Sequence, residues 1–172
     1  MGISEGRAVL DSVRVARSMP GAGGGHAFAV WGHSQGGQAA LYTGILAQSY
    51  ALELQLVGVA AAAPATELGI LLADDRETAG GRNITAMTLW SWSRVYGAPI
   101  TNVVTPQAMP AVDQLAGECI ERFFDVIERR GPSKELDQSF LSVNNISDVE
   151  PWRGLILREP CRRRFRYFSL KA

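Results

Sequence analysis

The 172-residue sequence predicts an α/β chain whose core is a parallel strand–helix–strand unit, and three observations carry that reading. A β-favouring run, Ala27-Phe28-Ala29-Val30-Trp31, leads into the turn Gly32-His33-Ser34-Gln35-Gly36-Gly37. The helix-forming stretch Gln38-Ala39-Ala40-Leu41-Tyr42 follows, and a second apolar run occupies Leu54 to Ala62. Two buried strands joined by a helix favour a parallel sheet.

Each element has its own signal. Ile3, Val9, Leu10, Val13 and Ala16 recur at helical spacing, and Pro20 with the glycine-rich run Gly21 to Gly25 ends that helix. The glycine run precedes a strand and lacks a Gly-Lys-Ser/Thr ending, so it is not a phosphate loop. Strand Ala27 to Trp31 comes next, then a helix to about Tyr50 and the strand Leu54 to Ala62. Residues 66 to 150 read as helices separated by Pro and Gly. Ile84 to Tyr96 is rich in aromatics, and Ala111 to Arg130 places Val112, Leu115, Cys119, Phe123 and Ile127 on one face, with Glu118, Glu121, Asp125 and Glu128 mostly opposite. Leu89, Trp90, Trp92, Val95 and Tyr96 fit packing better than an acyl channel, so no substrate-binding residue is assigned.

The turn carries chemistry. A serine hydroxyl attacks a carbonyl well only when held out at the tip of a sharp strand-to-helix turn, in a backbone conformation that crowds the residues two positions away. Gly32 and Gly36 occupy those positions, and Gly37 lets the helix pack close to the strand. The helix N-terminus beneath Ser34 places backbone N–H groups where an oxyanion would develop, which makes the Gln35 N–H the expected oxyanion donor. A bare G-x-S-x-G arises by chance in about one chain in twenty of this length. The strand before it and the helix after it are what give it weight.

The segment Ser4 to Arg14, the Gly32 to Gly37 turn and the run Leu56 to Leu68 together resemble the secretory lipase family of α/β-hydrolases, most closely over residues 3 to 68 and more loosely through about 160. The resemblance implies that Ser34 is the nucleophile and that a mostly helical lid over an acyl-binding pocket follows the next strand. It therefore implies an incomplete α/β-hydrolase fold: a partial core over 1–68, a helical lid or cap insertion over 69–150, and a return toward the core with an atypical basic tail over 151–172. The strands bearing the second oxyanion N–H, the catalytic Asp and the catalytic His are expected outside these residues. The resemblance further implies a lipid or small-molecule ester as substrate, contact with a lipid interface in the full-length protein, and secretion of the full-length relatives.

Within the chain, a base for Ser34 is hard to find. His26 and His33 are the two histidines. His26 begins the strand that ends at the turn, roughly 20 Å or more from Ser34 at about 3.3 Å per residue. His33 adjoins Ser34, and neighbours in an extended backbone point to opposite sides, so its ring is expected behind the turn. In this fold the base follows the nucleophile in the chain, and no histidine follows Ser34. Asp74, Asp75, Asp113, Asp125, Asp137 and Asp148 then have no histidine to orient and read as solvated or capping carboxylates. The chain is thus expected to be a lipase or carboxylesterase fragment with little or no turnover alone. The alternative is a non-catalytic remnant or interaction module that keeps the turn as architecture. A peptidase or acyltransferase of the same fold would carry the same turn.

Composition narrows the remaining classes. The formal charge is zero, but five of the 17 basic groups, Arg162, Arg163, Arg164, Arg166 and Lys171, crowd a stretch without acids, leaving 12 basic against 17 acidic groups before it. No nucleic-acid partner is expected, because the basic stretch follows Pro160 abruptly, shares no composition with the acidic body and stands where a core strand is expected, so it reads as a shift of reading frame rather than a binding patch. No cofactor or metal is expected. Cys119 and Cys161 show no spacing pattern. No signal peptide or membrane span is read, and the apolar run from Leu54 to Ala65 is too short to span a bilayer. Asn83-Ile84-Thr85 and Asn145-Ile146-Ser147 are glycosylation sequons.

Overall fold

The computed structural model describes residues 2–117, 136 and 140–158. They fall into two compact units, one within Met1–Glu67 and one within Leu68–Glu159. Cys119, Cys161, Asp125, Asp137, the segment 162–171 and the predicted helical stretch beyond residue 117 lie outside the described residues.

The first unit runs α1 (Gly2–Ser18), β1 (Ala27–His33), α2 (Gln35–Tyr50) and β2 (Gln55–Ala62). The two strands pair in parallel from Ala27 opposite Gln55 to His33 opposite Ala62, with one register shift after Phe28. A crossover helix between parallel neighbours is what the short connections allow. Strand β1 runs two residues past Trp31, because the Ser34 N–H still donates to Ala62 O at 3.0 Å and keeps the chain on the ladder. Strand β2 starts one residue late, since Leu54 N–H closes a turn onto Ala51 O at 3.0 Å while its side chain enters the core.

Glycines set the packing distances. Helix α1 crosses α2 closely because a Cβ at Gly6 would come 2.9 Å from the Tyr42 carbonyl carbon, and one at Gly2 would overlap the Tyr42 ring. That approach brings Leu10, fully buried, onto Ala47, Ala51 and Leu54, with Val13, Phe28, Leu46 and Leu56 packed around them. Phe28 and Val30 in β1 are half-buried and Gly32 is buried, whereas Ala27, Ala29, Trp31 and His33 on the other face are exposed. Trp31 is 71% and Val57 63% exposed. A parallel sheet is ordinarily covered on both faces, so these side chains form an apolar surface of the kind that promotes association.

A polar stitch closes the far end of this unit. The Arg14 guanidinium donates to Glu53 at 2.5 Å, to Asp11 at 2.7 Å and to Tyr50 O at 2.8 Å. It also lies over the Tyr50 ring, whose hydroxyl donates to Asp11. Hydrogen bonding from Arg14 holds the Glu53 carboxyl below its ordinary value of 4.5, and the same carboxylates raise Arg14 further above neutrality. A carboxyl whose folded value is depressed contributes stability above its unfolded value and loses it as pH falls through the folded one. The expected result is that Glu53→Gln lowers the urea midpoint at pH 7. The gap to the unsubstituted protein should close as pH drops below 4.5; a gap unchanged at pH 3 would contradict it.

The second unit is helical. It contains α3 (Leu68–Asp74), α4 (Ala79–Tyr96), α5 (Met109–Ala116) and α6 (Trp152–Leu157), with short 3-10 turns between them. Helix α4 begins five residues before the predicted Ile84. The Thr78 hydroxyl accepts from Gly81 N at 2.9 Å and caps it, and Gly97 in the left-handed region ends it. Leu89 and Trp92 are buried, while Val95 and Tyr96 are exposed. Trp90 joins α4 to α5: its indole N–H donates to Asp113 at 2.8 Å, and Arg94 lies 3.9 Å over its ring and 3.6 Å from the same carboxylate. Asp113 is solvent-exposed, as the sequence suggests, and is in addition the ion-pair partner of Arg94. Among the described residues, no helix is long and apolar enough to cross a membrane, and no group of three metal-ligating side chains occurs.

Candidate functional site

Ser34 stands at the junction of β1 and α2 with φ 55 and ψ −120, a left-handed backbone that side chains rarely adopt. Gly32 explains how the chain can turn so tightly. A Cβ there would stand 2.8 Å from the Gly37 nitrogen and overlap the Gly36 carbonyl outright. Gly37 permits the close seating of the helix, since its Cβ would lie 3.1 Å from Ala62 O and 3.2 Å from Gly32 O. Gly36 is different: a Cβ there would meet nothing within 4 Å. The expected crowding of both flanking glycines therefore applies to Gly32 alone, because Gly36 has already entered the exposed first turn of α2.

The Ser34 side chain is exposed and caps no N–H of α2. Its backbone is fixed instead, by Ser34 N–H to Ala62 O and by Gln38 N–H to Ser34 O at 3.1 Å. Strain of this sort persists only where the surroundings impose it, and it clusters at reactive positions. Two more described side-chain-bearing residues with positive φ, Ala63 at 42 and Glu67 at 52, follow the end of β2. The N–H of Gln35 opens α2, where the first-turn N–H groups have no intrahelical acceptor and the helix dipole is positive. This is the arrangement an oxyanion requires.

One side chain at the turn escapes sequence reading. Gln35 Nε2 donates to Glu5 Oε1 at 2.9 Å, anchoring the residue after Ser34 to the first turn of α1. The other carboxylate oxygen, Oε2, is buried without a hydrogen-bond partner. Thirty residues separate Glu5 from Gln35 in the chain, and no local spacing pattern connects them.

The two histidines are placed apart from this work. His26 precedes β1 and Ser34 follows it, so they sit at opposite ends of one strand. Its Nδ1 lies 3.1 Å from Glu53 O and its Nε2 3.2 Å from the Arg17 guanidinium. A carbonyl only accepts and a guanidinium only donates, which fixes the proton on Nδ1. His33 is exposed, on the face of β1 that also carries Trp31. The ring expected to support the turn from behind is exposed instead, because among the described residues no element covers that sheet face. Among the acids, Asp74 and Asp148 are exposed and Asp113 is paired with Arg94.

Comparison with known proteins gives a match at the level of family. The family model described as secretory lipase matches residues 1–138, which takes in α1, the Ser34 turn, β2 and α3 to α5. No curated protein matches the chain, and no solved structure does. With four-fifths of its length under one family model, the chain belongs to the secretory lipase family.

Proposed function

We propose that this chain carries the nucleophile half of a lipase or carboxylesterase site. Ser34 Oγ attacks an ester carbonyl, the Gln35 N–H holds the developing oxyanion, and a histidine outside these residues takes the serine proton. The strained backbone of Ser34 at the strand–helix junction is the observation that carries this reading. Lipase-type ester hydrolysis follows from the family, and a lipid ester is the substrate class it favours. Residues 69–150 take the role of the lid, and 1–68 that of the partial core.

In this proposal the chain alone does not turn over. An unassisted serine hydroxyl is a poor nucleophile, and its activation needs a base within about 3 Å. His26 is held by Glu53 and Arg17 at the far end of β1, and His33 is the neighbouring residue on an extended backbone. The expected result is that the purified 172-residue chain hydrolyses a short-chain nitrophenyl ester no faster than its Ser34→Ala variant. A rate above that variant would overturn the inactivity. Fluorophosphonate labelling at Ser34, absent in Ser34→Ala, would support an assembled reactive site, completed within the chain or by another polypeptide. Complete silence even with lysate of the source cells would favour the reading in which the turn is architecture only.

A further inference from the structure

We propose that Asn145 is an N-glycan attachment site and that Asn83 is not. This goes beyond ester hydrolysis and stands without it. Both residues open sequons, so sequence alone ranks them equally. Their surroundings are opposite. Asn83 lies inside α4, 1% exposed, one turn before Ala86 and next but one to Thr85, both also buried. A sugar on its amide nitrogen would have to displace the inner face of that helix.

Asn145 sits at the start of a short 3-10 turn, Ile146–Asp148, half-buried between the exposed residues Asn144 and Asp148. Its Oδ1 accepts from Ser147 N at 2.8 Å, and no described residue engages its Nδ2. That division suits the modification. The amide oxygen needed for the turn stays an acceptor when the nitrogen carries a sugar, and the nitrogen keeps one hydrogen. The turn is further held by Arg76 donating to Asn144 O at 2.6 Å and by Asp148 N to Asn145 O at 3.2 Å. The sugar therefore adds to a turn that already exists and costs it no bond. Ile146, the middle sequon residue, is 4% exposed and anchors the turn inward, which leaves the flanking residues to face solvent.

The donor is an oligosaccharide on a polyprenyl diphosphate. Asn145 Nδ2 forms a bond to the anomeric carbon, the anomeric C–O bond to the diphosphate breaks, and the diphosphate leaves with that electron pair. One Nδ2 proton passes to the transferase's base, and nothing is oxidised or reduced.

The test expresses the full chain behind a cleavable secretion signal in a eukaryotic host and collects intracellular and secreted pools together. Signal cleavage marks every chain that reached the lumen, folded or not. Release of the glycan by peptide N-glycosidase in heavy-oxygen water converts a modified asparagine to labelled aspartate, read by peptide mass. The expected result is label at position 145 and none at 83 in protease-resistant chains. Asn145→Gln and Ser147→Ala should abolish the modification, and Ser147→Thr and Asn83→Gln should leave it. Signal-cleaved chains unmodified at Asn145, or protease-resistant chains carrying the glycan on Asn83, would overturn the proposal.

Discussion

Gly32→Ala is expected to lower the stability of the first unit by about 3 kcal/mol, at the upper end of the cost of overpacking a dense interior. The cause is steric contact with backbone, which cannot rotate out of the way as a side chain can. The added methyl overlaps the Gly36 carbonyl and stands 2.8 Å from the Gly37 nitrogen, so the whole first turn of α2 must move. Moving it breaks the seating of Gly37 on Ala62 O and the Ser34–Ala62 ladder bond together. Gly36→Ala is the control. Its methyl enters open space in an exposed helical turn, where alanine is favoured over glycine by about 1 kcal/mol, so the variant should be neutral or more stable. Urea midpoints followed by circular dichroism compare the pair. Equal midpoints would mean that the turn does not have this geometry in solution, and the reactive placement of Ser34 would lose its basis.

The parts of this structure legible in the sequence are those where local pattern and fold agree. Phe28, Val30 and the glycines after them announce a strand entering a turn, and the alanine-rich stretch after Gly37 announces the helix. Pro20 and the glycine run mark the end of α1, which stops at Ser18. Illegible features come from three sources. Gly80 and Gly81 look like a break in the chain, yet Thr78 caps a helix that runs straight through them. The Glu5–Gln35 bond depends on α1 being laid beside α2, a tertiary fact that no spacing of residues expresses. The third source is what lies across the sheet. Alternation correctly separates His33 from Phe28 and Val30, but whether its face is covered depends on other elements, and among the described residues none covers it. Gly36 shows the limit of motif reasoning itself. The pattern treats its two glycines alike, while the backbone crowds only the one that precedes the serine.

Ser34→Gly should make the protein more stable while removing its proposed nucleophile altogether. At φ 55 and ψ −120 a Cβ is held against the backbone at a cost of about 1–3 kcal/mol, which glycine does not incur. Against this stands the greater freedom of glycine in the unfolded chain, about 0.4–1 kcal/mol. No cap is lost, because the Ser34 hydroxyl bonds no helix N–H. The balance is a gain of about 1 kcal/mol, or about 3 °C in melting temperature for a chain of this size. Ser34→Ala keeps the Cβ and therefore the strain, so its melting temperature should stay within about 1 °C of the unsubstituted protein. Both variants should be wholly inert in any assembly that supplies the missing base. The contrast between them separates two explanations that activity alone confounds. If glycine stabilises and alanine does not, the fold tolerates a cost at this residue whose visible return is an exposed hydroxyl on a fixed backbone, as expected of a reactive serine. If glycine brings no gain, the backbone at Ser34 is relaxed in solution, and the turn is a connection rather than a site.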